Sequence, residues 1–149
     1  MPEFTLKEGR VDAFQFADTA LSRKVARGLH AVAVDEQRGD FTPTLWDDDP
    51  RITQMLFPGA HADVGGGYPA ETDGCLADCS LEWMMGELQT LGVRFAASPK
   101  YRLRPLVTGT THTPWLDLPW NRLPSGKRTF PATLPLAPVL LSRRAAGHP

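Results

Sequence analysis

Apolar side chains recur at helical spacing soon after the start of the chain. Ser22 is a candidate N-cap, and an apolar stripe follows it. The stripe consists of Val25, Leu29 and Val32. This spacing predicts a helix over residues 23–34.

A second helical pattern lies in the middle of the chain. Asp78 is a candidate N-cap for a helix over residues 79–91, and Gly92 stands where a C′ glycine belongs. The apolar face of this helix is predicted to consist of Leu81, Met84, Met85, Leu88 and Leu91. We therefore expect that face to pack against the core.

The segment between the two helical patterns reads as strand and loop. Residues 41–46 contain Pro43 and are predicted to be extended or loop. The apolar run Ile52–Phe57 predicts a short strand, which Pro58 and Gly59 would stop. In an open α/β sheet, a loop between such a strand and the following helix lies beyond the carboxyl end of the strand, where active sites are found.

The periodicity fades after residue 98, where prolines become frequent. We predict a division into two parts at this point. Residues 1–97 would form the α/β part, and residues 98–149 a basic, irregular extension that contains proline and tryptophan.

Composition fits a soluble globular protein of 149 residues, with 42% hydrophobic and 22% charged side chains. No apolar run is long enough to span a membrane, and the start has no signal-peptide pattern. The two cysteines cannot form a disulfide framework, which favours a reducing compartment. We expect a cytoplasmic protein in the producing cell, with export only by a route that needs no signal peptide.

Charge is distributed unevenly along the chain. Residues 1–93 carry 16 acidic and 7 basic side chains, whereas residues 94–149 carry 1 acidic and 9 basic. Either the two halves complement one another in the fold, or the basic tail faces an anionic surface such as phospholipid headgroups. We predict no nucleic-acid partner, because the basic residues are scattered and no binding module is present.

Candidate chemistry is concentrated in residues 57–68, which contain a histidine, an aspartate and three successive glycines. His61 is a candidate proton carrier, because the pKa of an unperturbed imidazole is near neutrality. Asp63 either orients His61 or turns the chain. Gly65, Gly66 and Gly67 either form an oxyanion loop or make a tight turn beside Tyr68.

The sequence contains no Gly-x-Ser-x-Gly motif, so the nucleophile that such a histidine usually serves is absent from it. A small metal-dependent hydrolase is the weakest hypothesis. It would combine His61 and Asp63 with Cys75 and Cys79. We predict no metal and no cofactor.

Several ordered blocks stand out in the sequence, namely residues 18–22 with 30–38, residues 41–46, and residues 57–68 with 76–78 and 83–84. Together they resemble the type VI secretion lipase effector family. Of these, the His-x-Asp-Val-Gly-Gly-Gly-Tyr block is the most specific. A further histidine-containing segment of the family falls near His112, to which we assign no role.

The resemblance implies an α/β-hydrolase fold and serine esterase or phospholipase chemistry, with His61 as the general base. This chain would be the C-terminal half of such a domain, a partial α/β-hydrolase-like fold. Asp63 and Asp35 are the local candidates for the acid partner. The serine nucleophile would come from an N-terminal half, and the substrate would be a lipid ester.

An alternative is a non-catalytic interaction module or truncated remnant of the same fold. It would bind a secretion or immunity partner, or an anionic membrane surface, through its basic tail. Binding of that kind would weaken when the tail arginines are neutralised and would depend strongly on salt. The residues to neutralise are Arg102, Arg104, Arg143 and Arg144.

Overall fold

A computed structural model of the chain describes residues 19–69 and 75–148. Its regular elements are strands β1 (Gly28–Ala33) and β2 (Ile52–Phe57) and helices α1 (His61–Gly65), α2 (Leu76–Thr90) and α3 (Pro138–Ala145). Single 3₁₀ turns occur at Gly39–Phe41, Pro114–Leu116 and Trp120–Arg122. Asp18 in the first family-like block and the N-terminal segment lie outside the described residues.

The two strands form a parallel pair in which Gly28 faces Ile52 and Ala33 faces Phe57. The predicted strand over Ile52–Phe57 is confirmed. On its other side, β2 is bridged to residues 135–137, whose backbone exchanges two 2.9 Å hydrogen bonds with that of Leu56. Within the described chain, the other edge of β1 pairs with no strand.

The predicted helix over residues 23–34 is wrong, because its second half is strand β1 and its first half is a series of turns. The guanidinium of Arg51 holds these turns by donating hydrogen bonds to three backbone carbonyls. The acceptors are Leu21, Ser22 and Val25. Contacts with β2 therefore decide the conformation, although the apolar spacing is helical.

Side chains near the carboxyl ends of the strands are buried on both faces of the sheet. One face packs Val32 and Leu56 against Leu140 of α3. The opposite face packs Ala33 and Phe57 with Val64 of α1, Ala137 and the half-buried Trp83 of α2. Parallel sheets are normally covered on both faces, and this arrangement is compatible with a partial α/β fold.

Helix α2 begins at Leu76, three residues before the predicted start, and ends at Thr90. Gly92 has φ of +88° and donates to the carbonyl of Gln89, while the N–H of Val93 donates to Leu88. This is a Schellman motif, so the predicted glycine stop is confirmed.

The predicted apolar face of α2 is confirmed only in part, since Met84, Met85 and Leu88 are half-buried. Leu81 and Leu91 are exposed, while the side chains buried on the helix are Leu76, Asp78, Cys79 and Ser80. Ser80 donates a hydrogen bond to the carbonyl of Val64, and this contact joins α2 to α1. The short polar side chain of Ser80 thus faces the interior, whereas the apolar periodicity predicted that leucine side chains would face it.

The tail is more regular than predicted. Much of it consists of turns, but α3 lies within it, and Ala137 and Leu140 belong to the core at 0% and 2% exposure. The division after residue 97 stays a prediction. No helix in the described ranges is both long and apolar enough to cross a bilayer.

Candidate active site

The carboxyl ends of β1 and β2 meet at one edge of the sheet, because the strands are parallel. The segments that leave this edge are joined by hydrogen bonds. The carboxylate of Asp35 accepts from the N–H of Gly59 at 2.6 Å, and that of Glu36 accepts from the N–H of His61 at 3.0 Å. Asp35, a candidate acid partner, therefore contacts the turn after β2.

Gly59 makes the turn that leads from β2 into α1. Its φ is +97°, and a Cβ built on it would lie 2.4 Å from Cβ of Asp63. Only glycine fits both the backbone conformation and the space. The turn thus brings the start of α1 close enough for Asp63 to accept a 2.8 Å hydrogen bond from the N–H of Ala60.

The carboxylate of Asp63 holds His112 by two hydrogen bonds. Its Oδ1 lies 2.6 Å from Nδ1 of the imidazole, and its Oδ2 accepts from the backbone N–H of His112 at 2.9 Å. The side chain of Asp63 is only 2% exposed, whereas that of His112 is 35% exposed. The pair thus has a buried acid and an imidazole that solvent reaches.

Tyr68 covers one face of this imidazole. The two rings are stacked with centroids 3.6 Å apart and planes 14° from parallel. Burial, and then the negative charge of Asp63, raise the pKa of Tyr68. The tyrosine is therefore a neutral packing surface that fixes the ring orientation of His112.

His61 lies close to this pair in sequence, but its described contacts are different. It is exposed as the first residue of α1, and its ring packs edge-on against Phe41 at 5.1 Å between centroids. The hydrogen bonds of Asp63 go to His112 and Ala60, and none goes to the ring of His61. Its predicted role as the catalytic histidine stays a prediction.

A buried ion pair lies directly beside His61. Nε and Nη2 of Arg38 donate to the two oxygens of Glu36 at 2.9 and 2.7 Å, and Glu36 is fully buried. Burial acts to raise the pKa of Glu36, but the hydrogen bonds from Arg38 and from the His61 N–H lower it to about 2. Glu36 is therefore ionised at neutral pH and fixes the start of α1.

The three predicted loop glycines end α1 and follow it. Gly65 is the last residue of the helix, and Gly66 and Gly67 have φ of +82° and +137°. All three are exposed. Positive φ explains two of these glycines, and the oxyanion role stays a prediction.

The segment that carries His112 is anchored by α3. Arg143 is 3% exposed and donates 2.8 Å hydrogen bonds to the carbonyls of Val107 and Gly109. Sequence reasoning left His112 without a role, because its segment has no periodicity. The one available signal was its position near a histidine-containing segment of the resembled family.

The described residues include no cluster of three or more His, Cys, Asp or Glu side chains that could hold a metal ion. Cys75 is half-buried and Cys79 is buried, and both are free thiols. Burial, and then the negative charge of Glu82, raise the pKa of Cys79 to about 11. A protonated thiol of this kind is a poor metal ligand.

The chain is similar to a known protein family and to a yeast protein. The family model described as T6SS, phospholipase effector Tle1-like, catalytic domain matches residues 1–87. An uncharacterized protein of Saccharomyces cerevisiae (strain ATCC 204508 / S288c), YEL023C, is 33% identical over 72 residues, covering 46% of this chain. The match covers only 11% of the yeast protein's length. No solved structure matches the chain.

The family match includes the strand pair, α1 and Asp63, together with most of α2. It covers more than half of the chain. The chain therefore belongs to the family of T6SS Tle1-like phospholipase effector catalytic domains.

Proposed function

We propose that this chain supplies the acid and the base of a serine phospholipase, with Asp63 as the acid and His112 as the base. The observation that carries the proposal is the 2.6 Å contact between Oδ1 of Asp63 and Nδ1 of His112. Such a contact orients the imidazole and stabilises its protonated form. Family membership supports a lipid ester as the substrate.

The chemistry follows from the tautomer that this contact selects. Nδ1–H donates to Asp63, so Nε2 carries the lone pair that takes the proton of a serine hydroxyl. The serine oxygen then attacks the ester carbonyl, and Nε2–H protonates the alcohol that leaves. Water repeats the sequence on the acyl-enzyme and releases the fatty acid.

The serine comes from a polypeptide segment outside this sequence, which has no Gly-x-Ser-x-Gly motif. Among the described residues the outer edge of β1 pairs with no strand, and a further parallel strand there would have its carboxyl end at the same edge of the sheet as β1 and β2. Gly65, Gly66 and Gly67 remain the proposed oxyanion loop. Export by a type VI secretion system also remains a proposal.

A test begins with the reading frame immediately upstream of the Met1 codon. If it encodes Gly-x-Ser-x-Gly, the two segments are produced together, and fatty acid release from phospholipid vesicles is measured. His112→Gln should lower kcat by about 10³-fold or more, and the matched variant His61→Gln by less than about threefold.

A larger loss of kcat in His61→Gln than in His112→Gln would make His61 the base and refute the assignment of His112. The absence of any upstream Gly-x-Ser-x-Gly would refute the serine mechanism. Binding through the basic tail would then be the function to pursue, although Arg143 is buried and unsuited to a surface contact.

A further inference from the structure

A groove of about 460 Å³ lies between the segment that follows β1 and the segment before residue 131. Three basic side chains line it, Arg38, Lys127 and Arg128, and no acidic side chain does. The acidic neighbour Asp40 is exposed and is not part of the lining. The groove therefore carries an excess of positive charge.

Arg38 alone does not account for this excess, because Glu36 neutralises it. Its guanidinium is held 3.8 Å from the Phe41 ring centroid and 4.8 Å from that of Trp120. The aromatic rings and the carboxylate fix this side chain at the groove wall. Arg38 thus provides a rigid, charge-balanced donor there.

Arg128 provides the uncompensated charge. Its guanidinium donates to the backbone carbonyls of Phe41 and Ala33, and no carboxylate forms an ion pair with it anywhere in the described ranges. Burial lowers its pKa, and the nearby negative charge of Glu36, which Arg38 shares, opposes this effect only in part. The exposed Lys127 adds a second positive charge next to it.

The remaining lining combines hydroxyl groups and apolar surface. Thr42, Ser125 and Thr129 supply the hydroxyls. Pro43, Leu45 and Phe130 supply the apolar surface. Cationic donors, hydroxyls and apolar side chains in one groove match a phosphate group attached to an apolar body.

The groove also lies at the sheet edge that carries the proposed acid and base. Gln37 and Arg38 follow the carboxyl end of β1, and Glu36 beside them accepts a hydrogen bond from the N–H of His61, the first residue of α1. Asp63 lies on the same short helix. The groove and the proposed acid and base are thus linked through the hydrogen bond between Glu36 and the N–H of His61.

We propose that this groove binds the phosphate headgroup of a glycerophospholipid, with Lys127 and Arg128 as its cationic ligands. The inference rests on the proposed function for its choice of a phospholipid over free phosphate. Arg128 forms charge-assisted hydrogen bonds to the phosphate, and Lys127 contributes a point charge.

The test is calorimetric titration of the purified full chain with monomeric dihexanoylphosphatidylglycerol and, separately, with inorganic phosphate. Lys127→Glu should weaken lipid binding by about tenfold. Lys24→Glu is the matched control, since this exposed lysine lies outside the groove, and it should change binding by less than about twofold. Arg128→Lys keeps the charge but loses the planar fork, so it should also weaken binding.

Equal effects of Lys127→Glu and Lys24→Glu would overturn the proposal, because attraction would then be nonspecific. Absence of lipid binding would overturn it as well. Inorganic phosphate that binds as tightly as the lipid would assign the groove to free phosphate instead. The titration needs no serine nucleophile, so a failed binding test and a failed test of the proposed hydrolysis are distinguishable.

Discussion

Nδ1 of His112 lies 2.6 Å from Oδ1 of Asp63, although 49 positions of sequence separate the two residues. The carboxylate also accepts hydrogen bonds from the N–H groups of Ala60 and His112. One buried side chain thus fixes both the start of α1 and the imidazole. Several measurable properties should depend on this arrangement.

Asp63→Asn should destabilise the chain as well as misplace the imidazole. An amide presents one acceptor oxygen instead of two, so Nδ1–H of His112 loses its acceptor or the imidazole takes the other tautomer, and the charge-assisted hydrogen bonds of the buried carboxylate are lost in either case. We expect the free energy of unfolding to fall by about 2–3 kcal/mol. Urea denaturation at neutral pH measures it, with the exposed Asp48→Asn as control. Equal stability of the two variants would contradict the described contacts.

Gly59→Ala should be costly, whereas Gly86→Ala should be favourable. At Gly59, φ is +97° and an added Cβ would clash with Asp63, so we expect a loss of about 3 kcal/mol. At Gly86, within α2, an added Cβ meets nothing within 4 Å, and alanine should stabilise the helix by about 0.5–1 kcal/mol. Thermal unfolding of both variants checks the contrast. A tolerated Gly59→Ala would argue against the tight turn.

Acid should remove the contribution of Glu36 to stability. Its pKa is lowered from 4.5 to about 2 in the folded chain, so the stabilisation is complete above pH 4.5 and is lost as the pH falls toward 2. The contribution is about 3 kcal/mol at neutral pH. The midpoints of urea unfolding, measured at successive pH values between 4.5 and about 2, report this loss of stability.

Glu36→Gln is the control for this acid effect, since glutamine does not titrate. The variant should be less stable at neutral pH, because Arg38 keeps only a neutral partner. Its stability should also fall less steeply with acid than that of the unaltered chain. Equal slopes would mean that Glu36 is not the group that titrates.

The two thiols should react at different rates. Cys79 is buried and its pKa is raised to about 11, so about a thousandth of it is thiolate at pH 8. The half-buried Cys75 should react with an aromatic disulfide reagent first. The variants Cys75→Ser and Cys79→Ser identify each phase. Fast labelling of Cys79 in the folded chain would contradict its burial.

The parts of the fold that could be predicted from sequence are those with strong local signals. The strand over Ile52–Phe57 is an apolar run stopped by Pro58 and Gly59, and the predicted C′ glycine, Gly92, stops α2. These features depend on residues next to one another. Their local preferences and the tertiary contacts agree.

Strand β1 and the interior face of α2 could not be predicted in the same way. The spacing of Val25, Leu29 and Val32 satisfies a helical pattern, but pairing with β2 and the hydrogen bonds of Arg51 decide the outcome. On α2, contact with α1 turns Ser80 inward. Tertiary partners far away in sequence overrode the local pattern.

The candidate site was predicted only in part. Asp63 stood out because it belongs to a dense motif directly after a strand. His112 is brought to Asp63 by a segment that has no periodicity and is anchored through Arg143. No local pattern in the sequence encodes such a long-range contact.

The bridge between Leu56 and residues 135–137 has a consequence for how this domain can be inherited. The family match ends at residue 87, but His112 and the core residue Leu140 lie beyond it. Recombination at residue 87 would leave Asp63 without its imidazole and β2 without the segment bridged to its outer side. The two segments must therefore be transmitted together, and substitutions in one are expected to be compensated in the other.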